Sequence, residues 1–177
     1  MQTKILAAFL VLMITALANG FQSSAEWVKY TSEAGHYTAL IPRQPKLIEQ
    51  EAPAKTGEKL IQHMAQSTDA DSLYMIGYFD LLPDMVYSLD NARDGLLNAI
   101  KGTLLKEEAV SLGGKAGREV KVSAKSGDLD LIFRVRYYEI GKRVYILQHV
   151  YQKSSDSPAT ADKTARFFDS FKVITTK

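Results

Sequence analysis

The 177-residue chain contains no cysteine, which excludes disulfides, thiolate nucleophiles and zinc–thiolate sites together. Packing therefore has to carry its stability. No charge of one sign dominates either: 22 Lys and Arg stand against 20 Asp and Glu, a formal +2. That balance gives no global electrostatic reason to invoke nucleic acid or an anionic membrane as partner. Histidine is scarce, at His36, His63 and His149, and none has a neighbour at the i, i+2 or i, i+4 spacing usual for metal ligands. A Gly-x-Ser-x-Gly elbow is missing, and Gly113, Gly114 and Gly117 lack the Gly-Lys-Ser/Thr ending of a phosphate loop. Nor is there an internal repeat, a low-complexity tract or an interdomain linker.

What is present begins with the apolar stretch 5–17, preceded by Lys4 and followed by the small residues Ala18 and Gly20. At about 1.5 Å of rise per residue, some 13 residues make about 20 Å, short of the roughly 30 Å hydrocarbon core. A cleavable signal peptide over residues 1–20 is therefore expected, rather than a permanent anchor. No cysteine follows the run, so a bacterial lipoprotein anchor is excluded. The expectation is one mature domain over residues 21–177, periplasmic or secreted, with no transmembrane helix after cleavage. Its formal charge would be +1, because residues 1–20 hold Lys4 and no Asp or Glu to set against the +2 of the whole.

Period-two patterns predict strands over 27–31 and 36–41, over 46–50, and over 58–66 and 73–82, the last two joined by an acidic turn. The pattern then shifts to period 3.6, with Leu89, Ala92, Leu96, Ala99, Ile100 and Leu104 on one helical face and Ser88 or Asp90 as the N-cap. Gly-containing turns predict an antiparallel meander through 109–112, 117–124, 129–140 and 143–152. In 129–140, Leu129, Leu131, Phe133, Val135 and Tyr137 form the core face. Pro158 opens a last helix capped by Ser157 or Thr160, whose inner face reads Ala161, Ala165 and Phe168, flanked by Phe167 and Phe171. The fold class is therefore α+β, a mostly antiparallel sheet covered by two main helices.

Several segments resemble the PsbP-like proteins. They are Trp27 with Tyr30, Gly35-His36-Tyr37, Ala39-Leu40-Ile41-Pro42, Gly117-Arg118-Glu119-Val120, the hairpin at Gly141 to Tyr145, and Arg166-Phe167-Phe168-Asp169-Ser170-Phe171-Lys172. That group includes the extrinsic lumenal protein of photosystem II and exported bacterial relatives. The resemblance implies an α/β/α sandwich around a central antiparallel sheet, and a role in docking on a partner rather than in catalysis. The leader has no Ser- and Arg-rich transit composition, so membership of photosystem II itself does not follow.

Chemistry concentrates on one set of residues. Arg134, Arg136 and Tyr138 share a face of their strand, with Arg118, Arg143, Tyr145, His149 and Tyr151 on the neighbouring strands. Guanidinium forks beside phenol rings suit carboxylates, phosphates, sugars or a protein surface. Alternatively, this is a solvated face whose arginines pair with Glu119, Asp130 or Glu139. The binding reading takes Arg134, Arg136, Tyr138, Arg118 and His149 as the site of an accessory module, with no catalytic residue, cofactor or metal, and with a protein of the cell envelope or a small anion as partner. Two other readings stay open. One is an envelope hydrolase or metal-dependent enzyme built nonlocally from His63, His149 and a carboxylate such as Asp80; the other is a purely structural or stress-related secreted protein. Asp69, Asp71 and Ser72 have the alternation of a calcium loop but lack its Gly and distal Glu, so they read as a hairpin turn.

Overall fold

The computed structural model describes residues 26–53 and 59–174, so the expected signal segment lies outside the described residues. Among the described residues, ten strands form two antiparallel sheets. The smaller joins β1 (Val28–Ser32), β2 (Tyr37–Ile41) and the short β10 (Lys172–Val173), with β2 in the middle. The larger has seven strands in the order β3-β4-β5-β9-β8-β7-β6. These are β3 (Lys46–Pro53), β4 (Lys59–Asp69), β5 (Ser72–Asp80), β6 (Thr103–Leu112), β7 (Lys115–Ser126), β8 (Leu129–Ile140) and β9 (Arg143–Gln152). Helix α1 (Leu89–Ile100) connects β5 to β6, and α2 (Pro158–Ser170) connects β9 to β10. Gly127 and Gly141, at φ of 58° and 66°, turn the last two of the meander's three hairpins, a backbone state that glycine reaches without a Cβ penalty.

The large sheet is covered on both faces. On one, Ala92 and Leu96 of α1 pack with Val120, Val122, Leu131, Phe133, Val135, Tyr137, Val144 and Ile146, the expected core face of β8. On the other, Tyr37, Ala39 and Ile41 of the small sheet and Phe167, Phe168 and Phe171 meet Tyr74, Ile76, Tyr78, Tyr138, Tyr145 and Leu147. The second layer is thus a sheet and a helix side by side, where the sequence pattern led us to expect a helix alone. Central strand β9 consequently has Val144 through Tyr151 all buried.

One helix boundary and one helix face depart from the periodicity reading. Helix α1 stops at Ile100, because Lys101 takes a left-handed conformation (φ 51°, ψ 43°) and Gly102 N–H closes on the Leu97 carbonyl at 2.9 Å. Leu104 therefore belongs to β6. Helix α2 starts as expected, with Ser157 Oγ accepting from Thr160 N–H and Pro158 in the first turn. Its buried residues are Thr160, Thr164, Phe167 and Phe168, while Ala161 and Ala165 face solvent. The helix is rotated because both threonines find internal hydrogen-bond partners, so polar residues occupy positions that a hydrophobic pattern passes over.

Candidate functional site

Strand register assembles the candidate site on the α2 face of the large sheet. Arg134 lies opposite His149 on β9 and Lys121 on β7, and Arg136 lies opposite Leu147 and Glu119. Continuing onto β6, Lys121 faces Lys106 and Glu119 faces Glu108. Like charges directly opposite on a sheet repel, and here each finds relief along its own strand, from the neighbouring strand or from another element. Lys106 pairs with Glu108, Lys121 reaches Asp156 at 2.7 Å, and Glu119 takes both arginines.

Glu119 is the centre of the arrangement. Its side chain is 5% exposed, and it accepts from Arg134 Nε at 3.0 Å and from Nη2 on one oxygen, and from Arg136 Nε at 2.6 Å on the other. One buried carboxylate therefore serves two guanidiniums, which leaves the trio one positive charge in surplus. Arg136 spends its Nη1 on Asp169 of α2, at 2.8 Å, and its guanidinium lies 4.8 Å from the centre of the Phe168 ring, a cation–π geometry. Burial works against the charge on Arg136, but Glu119 and Asp169 outweigh it, and its pKa is raised. The arginines do pair with Glu119, as the alternative reading expected, yet this face is roofed by α2 rather than solvated.

His149 sits behind Arg134 with none of its surface exposed. Its ring stacks on Tyr74 at 4.2 Å, and its Nδ1 lies 2.8 Å from Thr164 Oγ1. That hydroxyl gives its single hydrogen to the Thr160 carbonyl, so His149 Nδ1–H must be the donor and Nε2 carries the lone pair. Nε2 has no hydrogen-bond partner among the described residues. Burial, reinforced by Lys163 and Arg134 and opposed by Asp71, pushes the imidazole from its ordinary 6.5 down to about 3. His149 is a neutral buried anchor for α2. Tyr138, 2% exposed, is likewise sealed, with its ring packed over Gly117.

Arg118 falls elsewhere. It stands opposite Tyr137, on the α1 face, where it pairs with Asp90 and, at 2.9 Å, with Glu107. Alternation along β7 puts it on the reverse side from Glu119. Arg143 and Tyr145 do share the α2 face, but toward the small sheet: Arg143 forks onto Asp80 at 2.6 and 2.7 Å, and Tyr145 Oη donates to the Gly35 carbonyl at 2.9 Å. Of the sequence candidates, register thus joins Arg134, Arg136, Tyr138 and His149 on one face. Only the two arginines keep accessible surface. Asp169 and Asp156 were missed, and the only sequence signal for them was their place in or beside the C-terminal helix.

The nonlocal set of His63, His149 and Asp80 is not brought together. His63 faces Tyr78 while His149 faces Tyr74, four residues apart along β5, which is about 13 Å at about 3.3 Å per residue. Two imidazoles so placed cannot share a metal at about 2.1 Å from each. Asp80 is engaged by Arg143, whose hydrogen bonds outweigh the effect of burial and lower its pKa. No grouping of three or more His, Asp or Glu fit to hold a metal ion occurs among the described residues.

No family model matches the chain, and no curated protein matches it. Solved structures do. Cyanobacterial PsbP (CyanoP) from Synechocystis sp. PCC 6803 superposes with a TM-score of 0.55 over 88% of this chain and 97% of that one, at 11% identity. The Ran-binding protein Mog1p of Saccharomyces cerevisiae superposes with a TM-score of 0.51 over 85% of this chain and 97% of that one, at 10% identity. At such identities the likeness concerns the backbone arrangement, and on that ground the chain has a PsbP-like fold.

Proposed function

We propose that this protein is an exported, non-enzymatic binding module, and that its mature domain, residues 21–177, engages an anionic group of a protein partner in the cell envelope through Arg134 and Arg136. The observation that carries the reading is the convergence of two guanidiniums on one buried carboxylate, Glu119. The positive charge that Glu119 leaves over, met at Arg136 by the exposed Asp169, is held in fixed geometry at a partly exposed position, which is what recognition of an anion needs. Mog1p, a Ran-binding protein by name, supports protein recognition as one use of this scaffold, although a fold alone does not assign a function. Export rests on the composition of residues 1–20. No helix among the described residues is long and apolar enough to cross a membrane.

The test is capture of envelope proteins by immobilised full-length mature protein. Replacing the arginines alone would strand a buried carboxylate, so the comparison uses the triple variant Arg134→Gln, Arg136→Gln, Glu119→Gln, with circular dichroism as the check on folding. Species held by the wild type, released by salt and lost in the folded triple variant are expected. Equal capture by the folded variant contradicts the site, and the finding of the protein unprocessed in the cytosol contradicts export.

A further inference from the structure

Resting on that reading, we infer that Asp169 is an internal stand-in for the partner, and that the group it stands in for is a carboxylate at the tip of an acidic side chain. The two carboxylates on Arg136 are held in opposite ways. Glu119 lies beneath the guanidinium, 5% exposed and shared with Arg134, whereas Asp169 lies outside it, 67% exposed and bonded through a single oxygen at 2.8 Å. Exposed pairs of this kind contribute little and open readily. Removing Glu119 would take the shared carboxylate from both guanidiniums, while removing Asp169 uncovers one nitrogen of a guanidinium still fixed by Glu119 and by the Phe168 ring.

Asp169 also sits at an exposed helix end. It is the penultimate residue of α2, Pro158–Ser170, where the partial negative charge of the helix end disfavours an anion. The carboxylate is therefore kept at an electrostatically poor helical position by Arg136. An incoming carboxylate on the same nitrogen makes the same bond, and Asp169 is released to water, where solvent and salt screen its charge at the helix end.

Charge count selects the ligand class. With Asp169 displaced, Arg134, Arg136 and Glu119 together leave a surplus of one positive charge, which one carboxylate neutralises. A dianionic phosphate would overcompensate it, facing Glu108 directly across from Glu119 on the neighbouring strand. The site thus favours a monoanionic carboxylate, on a flat fork, over a phosphate.

The experiment follows the arginine side-chain Nε–Hε resonances by NMR in the folded mature protein during titration with N-acetyl-aspartate amide, and separately with inorganic phosphate, for the wild type and for Asp169→Asn and Arg136→Lys. The expected result is saturable binding of the acetyl-aspartate probe at the Arg136 resonance. Affinity should rise up to about fivefold in Asp169→Asn, the order that an exposed ion pair contributes. It should fall in Arg136→Lys, where it is read at the Arg134 resonance, with phosphate weaker than the carboxylate. Equal affinity of wild type and Asp169→Asn at Arg136 overturns the stand-in role while leaving the anion site intact. Phosphate tighter than acetyl-aspartate overturns the ligand class. Absence of binding by all three proteins overturns the inference and the underlying reading together.

Discussion

The two faces of the seven-stranded sheet are both buried, yet they are built from different chemistry. Under α1 the core is largely aliphatic, Val120, Val122, Leu131, Val135, Val144 and Ile146, and its charges, Arg118, Glu107, Arg93 and Asp90, sit at the rim. Under α2 and the small sheet the core is largely aromatic, and an Arg–Glu–Arg cluster and a histidine are enclosed beside it. The first face needs only to exclude water. The second also has to satisfy directional partners, and this makes it the face where charge can be held in place for a ligand.

The largest expected effect breaks the aromatic side. Phe167 has no exposed surface and meets Tyr74 edge-on at 5.3 Å and Phe168 at 5.4 Å. Phe167→Ala should cost about 3–5 kcal/mol in urea unfolding, with Leu131→Ala on the aliphatic side costing about 2–5 kcal/mol. A cost well under 1 kcal/mol for Phe167→Ala would mean that α2 is not docked as described. Glu119→Ala comes next, at about 3–5 kcal/mol, because it leaves two guanidiniums without their shared carboxylate. The triple variant with both arginines neutralised should recover most of that loss.

A smaller and more diagnostic effect concerns pH. Unfolded, the chain takes up a proton on His149 near 6.5, which the folded protein refuses until about 3. Stability is therefore retained above 6.5 and lost as pH falls through that window, at about 1.4 kcal/mol per pH unit from this group. Asp80 and Asp156, whose pKa values are lowered by Arg143 and Lys121, add to the acid loss at the low end of the same window. His149→Gln should flatten the slope between pH 6 and pH 4 in denaturation series. An unchanged slope would contradict a buried neutral imidazole.

Much of the strand order near the C-terminus was legible, because short glycine turns allow only antiparallel neighbours and because β8 alternates cleanly into two faces. Less legible was which of those faces meets water. The alternation in β8 suggested a solvated Arg134–Arg136 side, but β9 carries the better signal: Val144-Tyr145-Ile146-Leu147 continues through Gln148-His149-Val150-Tyr151 with no polar alternation, as a strand covered on both faces does. The α2 register was misread because Thr160 and Thr164 are buried through hydrogen bonds rather than through hydrophobicity. Arg118 was grouped with the wrong face because a one-residue step along β7 reverses the side, and cross-strand register is set by contacts that composition does not encode.

The smallest effect sharpens the comparison from the other side. Arg118→Gln removes the pairs with Asp90 and Glu107 on the α1 rim and should shift the melting temperature slightly while leaving capture of envelope proteins unchanged. Loss of capture in that variant would move the site to the α1 face.

The most direct test of the central claim, that the α2 face holds the anion site, is a backbone amide chemical-shift map during titration of the folded protein with N-acetyl-aspartate amide. The account predicts saturable shifts clustered at Arg134, Arg136 and Asp169, with Arg118 and Asp90 silent. Shifts centred on Arg118 and α1, or no saturable shift at Arg134 and Arg136, would contradict it.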